Sequence, residues 1–204
     1  MHLRAPAILC AARAHGEHAA VLRLMTADHG LIAAYCAGAR GRRLRPVVIP
    51  GNLLDVELSA RSASQLPFAR VELVTSRGPW LGEPLASAAI GWATALTAAT
   101  LPESQPYPVL YDALGAVLEA ICHAPSARGW VGALAAYQEL LLRELGYGSS
   151  GTRDAPSDDW PTLLARLERQ GKAIGARLLA ERRGDAMGAH AILLDRLKRI
   201  AGDL

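Results

Sequence analysis

Four arginines within six positions, Arg40, Arg42, Arg43 and Arg45, are the residues of this chain with the most definite chemistry. A guanidinium stays ionised at any working pH, and its planar fork of donors matches the oxygens of a phosphate. The four sit in the stretch from Leu31 to Gly51, LIAAYCAGARGRRLRPVVIPG. An apolar run leads in and ends at Gly38, and Pro46 with the pair Pro50-Gly51 closes it. A strand that empties into an arginine loop presents charge to a polyanion. A solvated basic turn would carry the same residues, so the surroundings have to decide.

Other constellations offer less. His15-x-Glu17 matches half of a zinc-deaminase signature, but the Pro-Cys-x-x-Cys half is absent. There is no Gly-x-x-x-x-Gly-Lys-Ser/Thr phosphate loop and no Gly-x-Ser-x-Gly nucleophile elbow. Gly146, Gly148 and Gly151 have Gly-x-Gly-x-x-Gly spacing, but they follow an expected helix where a dinucleotide site needs a strand. Gly38-Ala39-Arg40-Gly41 fits the Gly-x-x-Gly clamp of KH modules, yet it leaves a strand and does not join two helices. What survives is that glycines let phosphates approach the backbone. The expectation is a binding protein and not an enzyme, with neither metal nor cofactor.

The elements that must hold the arginines read as a small barrel. Residues 7–14, 19–26 and 31–38 are three short apolar runs, joined by turns at His15–His18 and Ala27–Gly30. The first is a weak strand by propensity, because it is rich in Ala. In residues 51–60, Leu54, Val56 and Leu58 alternate with Asp55, Glu57 and Ser59, the pattern of a half-buried strand. A fifth strand spans 66–75, with Phe68, Val71 and Leu73 expected in the core. Five strands with a long connection between the third and fourth suggest an OB-type barrel, with a generic meander as the alternative.

Beyond Ser76–Pro84 Ala and Leu dominate, and helices are expected over 85–100, 109–123, 130–145, 161–181 and 186–201. Leu110, Leu114, Val117, Leu118 and Ile121 share one face of the second. Gly146 suits the end of the third, and Ser157, Asp158 or Asp159 suits the cap of the fourth, with Pro161 in its first turn. Trp92, Trp130, Trp160 and Tyr137 are read as core, and Arg196, Lys198 and Arg199 as complements of a helix dipole. The fold class is thus α+β: a five-stranded OB-type barrel over residues 1–80, then an all-helical domain over 81–204. The two parts differ in charge. Residues 1–80 hold ten arginines against five acids, and 81–204 hold twelve basic residues against fourteen acids, consistent with the net +3. Cationic surface is how proteins find nucleic acid.

Cys10, Cys36 and Cys122 are far apart and in apolar contexts, which argues for a reducing compartment and against a disulfide framework. Charges throughout residues 1–30 leave no signal-peptide core, and the uncharged stretch Leu85–Pro102 is Ala, Thr and Ser rich, as in a buried helix. A cytoplasmic protein is expected. Arg13, Arg23, Arg61 and Arg70 lie on the expected strands or their ends, and Tyr35 is the single aromatic of the first three. Arg13 and Arg23 would extend the arginine loop into a groove if they share its face, and Tyr35 would then stack a base or else sit in the core or at its rim.

An ordered set of short motifs resembles the bacterial recombination mediator family RecO. His15-Gly16-Glu17 follows the first strand, Thr26-x-x-His29-Gly30-Leu31-Ile32 the second, and Gly38-Ala39-Arg40 the third. Pro50-Gly51-Asn52, Glu72-Leu73, Ser76, Leu101-Pro102-Glu103 and Tyr111 come next, then Glu139-Leu140-Leu141-x-x-Glu144-Leu145-Gly146-Tyr147 and Leu194-Asp195-Arg196-Leu197-Lys198. The resemblance implies an OB-fold, a helical domain, and non-catalytic binding and annealing of single- and double-stranded DNA. It also implies partnership with RecR and with the C-terminal tail of single-strand-binding protein, loading of RecA recombinase on gaps, and a place at the bacterial nucleoid. Just after Tyr147 the chain departs from the family. The linker Gly148–Pro156 stands where many members carry a four-cysteine zinc module, so no zinc is expected. An OB-type RNA binder and a protein adaptor remain as rival readings.

Overall fold

A computed structural model describes residues 2–62, 65–148, 159–180 and 186–202. Its elements are β1 (His2–His15), β2 (Ala19–Thr26), β3 (Gly30–Cys36), β4 (Leu53–Ser59) and β5 (Phe68–Thr75), then a short 3-10 helix (Gly78–Gly82). The helices α1 (Pro84–Thr100), α2 (Pro108–His123), α3 (Arg128–Glu144), α4 (Trp160–Arg177) and α5 (Ala186–Gly202) follow. Of the expected linker Gly148–Pro156, all but Gly148 lies outside the described residues, as do the cap candidates Ser157 and Asp158.

The strands close in the order β1-β2-β3-β5-β4. A meander would have kept sequence order, so this order settles the barrel as OB-type. The β3–β5 pair is parallel and every other pair antiparallel. Strand β1 is longer than its apolar run. Its first half pairs with β4 and its second half with β2, across a register shift between Leu9 and Ala11 that leaves Cys10 over. Such a bulge bends a strand round a barrel corner. The early half is held across the strands by an Arg4–Asp55 ion pair at 2.6 Å and a His2–Glu57 hydrogen bond at 3.0 Å.

Alternation fills the interior. Leu22, Leu24, Leu54, Val56 and Leu58 are all fully buried. Strand β5 corrects the sequence reading. Val71 is buried beside Ala69, but Phe68 is 60% and Leu73 42% exposed. Phe68 shares its side of the strand with Arg70 and Glu72, whereas Ala69 and Val71 point inward. Leu73 lies where the pairing with β4 slips, between Leu53 and Leu54, before it resumes at Leu53–Thr75.

By its contacts the chain forms two compact units, and the connection 101–111 belongs with the barrel. That connection lies along β3: Leu31 bridges Glu103, and the Ser104 amide donates to the Leu31 carbonyl at 2.9 Å. Gly30 makes this possible. Its φ is +67°, and a Cβ there would lie 1.9 Å from the Gln105 carbonyl oxygen. The Thr26 hydroxyl completes the turn, accepting from the His29 amide and donating to the Gly30 carbonyl, each at 3.1 Å.

In the helical unit α1 packs on α5, and α4 on α3 and α5. Leu110, Leu114, Val117, Leu118 and Ile121 of α2 are buried, as are Trp92, Trp130, Trp160 and Tyr137. Buried polar groups are linked in a chain. The Trp92 indole N–H donates to Gln138 Oε1 at 2.9 Å, Gln138 Nε2 to Gln170 Oε1 at 3.0 Å, and Gln170 Nε2 to the Ala135 carbonyl at 3.0 Å. Asp159 caps α4 by accepting from the Thr162 amide at 3.1 Å, with Pro161 in the first turn. Gly146, φ +83°, ends α3. No helix among the described residues is long and apolar enough to cross a membrane.

Candidate nucleic-acid interface

The arginine stretch is a plug and not a loose loop. Gly38 turns the chain out of β3 with φ +68°. The Leu44 and Arg45 amides then donate to the Gly41 carbonyl at 3.2 and 2.9 Å, and the Val47 and Val48 amides to the Leu44 carbonyl at 2.9 and 2.8 Å. This coiling puts Leu44, Val47 and Val48 against the barrel core. One apolar residue inside the basic run therefore anchors its neighbours, and Arg42, Arg43 and Arg45 are left exposed. At the far end the fully buried Asn52 fixes the coil. Its amide donates to the Val47 carbonyl at 2.9 Å, and its side-chain oxygen accepts from the Arg77 amide at 2.7 Å.

Arg40 is held differently. Its guanidinium donates to the carbonyls of Gly16 and Glu17 at 3.4 and 3.2 Å, and its amide to the His18 carbonyl at 3.1 Å. It staples the coil to the β1–β2 turn. Those acceptors are neutral, so its charge stays uncompensated. The side chains of Arg13, Arg42, Arg43 and Arg45 make no ion pair or hydrogen bond with any described residue. Arg23 instead pairs with Glu103 at 2.6 Å, and Arg70 approaches Glu57 at 3.8 Å. The acids cluster on the β4–β5 side. There Arg4 donates to Asp55 and holds its carboxyl below the usual range.

Two depressions border the coil and a third lies beyond Phe68. Arg40 and Arg45 flank a groove of about 370 Å³ floored by Ala12, Ala14, Ala20 and Ala39. The alanines that weakened the strand reading of β1 are what keep this floor low. Arg43 and Leu44 face Phe68 and Arg70 across a cleft of about 850 Å³, and Arg61 meets Phe68 in another of about 720 Å³.

Tyr35 lies on the outer face of β3. The register places Arg13, Val21, Tyr35 and Phe68 in one row across β1, β2, β3 and β5. The Tyr35 ring meets His15 edge-on at 5.7 Å and Phe68 at 5.3 Å. Arg13 and Tyr35 thus share the outer face, whereas Ala12 and Ala14 on the other side of β1 floor the groove of Arg40 and Arg45, and Arg23 is tied to the connection at Glu103. Sequence reasoning missed His15 and Phe68 as members of this surface. Strand phase could have found Phe68, since it alternates with Ala69 and Val71. Among the described residues no three His, Cys, Asp or Glu side chains lie together as metal ligands.

Residues 1–77 match the family model described as Recombination protein O N terminal, and residues 81–203 match Recombination protein O C terminal. A DNA repair protein RecO of Phenylobacterium zucineum is 34% identical over 176 residues, covering 85% of this chain and 71% of that protein. The Rhodospirillum rubrum protein of the same name is 34% identical over 184 residues, covering 85% and 73%. That of Gluconacetobacter diazotrophicus is 31% identical over 198 residues, covering 96% and 78%.

Proposed function

The chain belongs to the RecO family of DNA repair proteins, and from that premise we propose that it is a recombination mediator whose barrel grips DNA through Arg40, Arg42, Arg43 and Arg45. One observation carries the reading: the side chains of Arg42, Arg43 and Arg45 project, without a described partner, from a coil whose apolar side chains are half-buried against the barrel core. Guanidiniums presented on a fixed mount bind phosphates without first breaking an ion pair. Arg13 adds a further free charge. Arg23 has to leave Glu103 before it contributes, and Tyr35 lies beside the phosphate path.

Such contacts fix a strand by its backbone and carry no base information. The Watson–Crick edges stay open to a second strand, which is what annealing requires, and the protein then works without covalent chemistry. In this reading RecR and single-strand-binding protein are its partners, and loading of RecA on single-stranded gaps is the outcome. The helical unit offers a seat for an acidic tail, an apolar cleft of about 360 Å³ where Met187 and Leu194 lie beside Lys172 and beside Lys198, which an incoming carboxylate would have to draw from Glu168.

The test is a salt titration of oligo-dT binding by wild type and by the Arg40/Arg42/Arg43/Arg45 alanine variant. Single-strand affinity falls with salt by about 0.7 log units per log unit for each phosphate neutralised. Loss of four contacts therefore flattens the slope by about 2.8. An unchanged slope refutes the placement of DNA on the coil.

A further inference from the structure

The chain has a single phenylalanine, and it is on the surface. Phe68 is 60% exposed, while Trp92, Trp130, Trp160 and Tyr137 are all within the core. Nor is it an isolated ring. Tyr35 touches it edge-on at 5.3 Å, and His15 continues the line at 5.7 Å from Tyr35. Cations gather along this line: Arg13 ends the cross-strand row, Arg43 and Arg70 share with Phe68 one cleft whose other wall carries Glu57 and Glu72, and Arg61 shares another.

We infer that Phe68, Tyr35 and His15 form a base-stacking strip for single-stranded nucleic acid, with phosphates between the bases held by Arg43 and Arg61. The inference rests on the DNA-binding reading above and adds to it a means of telling single strand from duplex. An aromatic ring takes the face of any base, so it contributes affinity without sequence preference. In a duplex those faces are buried in the stack, and only the phosphates remain for the arginines. The ring spacing exceeds the rise of about 3.4 Å per nucleotide in a stacked strand, so bases resting on neighbouring rings are splayed from one another. Contact through the face leaves each pairing edge free. The acidic β4–β5 wall, with Asp55, Glu57 and Glu72, bounds the strip on its far side and directs a polyanion towards the coil.

The test compares Phe68→Ala, Phe68→Trp and wild type by fluorescence anisotropy on three probes: oligo-dT, an abasic strand of equal length, and a duplex. Phe68→Ala weakens oligo-dT binding about tenfold, leaves the abasic strand and duplex unchanged, and keeps the salt slope. Phe68→Trp restores the loss. Equal weakening on all three probes, or no weakening on oligo-dT with the far-ultraviolet circular dichroism unchanged, overturns the inference. The second of those outcomes would make the ring a protein contact. The arginine variant separates the two claims. A lost slope with an inert Phe68→Ala removes the strip alone, and a retained slope with a selective Phe68→Ala defect removes the coil alone.

Discussion

Asn52 decides whether the arginines are mounted or loose. It is fully buried and joins two segments, its side chain donating to the Val47 carbonyl at 2.9 Å and accepting from the Arg77 amide at 2.7 Å. Asn52→Ala takes the side-chain acceptor from the Arg77 amide, while the Val47 carbonyl keeps the Ile49 amide at 2.9 Å. A buried group that loses its partner costs about 1–3 kcal/mol, so the substitution is expected to cost about 2 kcal/mol. That is a large share of a stability of about 5–15 kcal/mol. Urea unfolding followed by tryptophan fluorescence reads it, because Trp80 lies three residues past Arg77. Binding should weaken as well, with the salt slope retained, since every guanidinium is still present. Arg42→Ala makes the opposite pair: stability unchanged and the slope lowered by about 0.7. A cost below about 0.5 kcal/mol for Asn52→Ala, the range of ordinary surface changes, would refute the idea that this residue holds the coil.

Other expectations follow from single contacts. Gly30→Ala forces a side chain into the left-handed region and into the Gln105 carbonyl, and should lower the melting temperature by several degrees in calorimetry. Gln138→Leu keeps the volume but strips the Trp92 indole and Gln170 of their partner, costing about 1–3 kcal/mol in urea unfolding. Burial holds the pKa of His190 below its ordinary 6.5. The unfolded chain therefore takes up the proton first, and stability present above about pH 6.5 is lost as pH falls towards the folded value. His190→Gln should narrow the difference between urea midpoints at pH 7.5 and 5.5. Burial also pushes the Cys10 thiol up to about 12, so it should resist alkylation at pH 8 until the barrel is unfolded.

Where residues obey one local rule, the sequence was readable. Strict alternation in β4 placed Leu54, Val56 and Leu58 inside, and helical spacing did the same for α2. The arginines were visible as a run, but their mount was not. Leu44 is the anchor, and only the folded core makes an apolar residue inside that run valuable. The early half of β1 was hidden for a similar reason: its strand character comes from pairing with β4, 49 or more positions away, and not from its own propensity. Phe68 was legible and was misread by hydrophobicity, when alternation with Ala69 and Val71 already turned it outward. Arg23 had no signal at all, since its Glu103 partner arrives on a connection whose path no local pattern encodes.

The barrel is closed between β3 and β5 by a single residue pair, Tyr35 with Phe68, and by the bond from the Tyr35 amide to the Pro67 carbonyl at 2.8 Å. Every other junction is a ladder of seven residue pairs. Breathing should start there, with the Tyr35 amide exchanging its hydrogen well before those inside the β1–β2 ladder. Each opening bares two strand edges, the surfaces through which chains aggregate or swap. The two residues that close the gap are also two rings of the proposed strip. A nucleic-acid strand lying across both is bound only while the barrel is shut, so its binding free energy is added to the weakest junction of the fold. DNA then acts as a fastener, tightening with concentration, and the protein is most durable when it is at work.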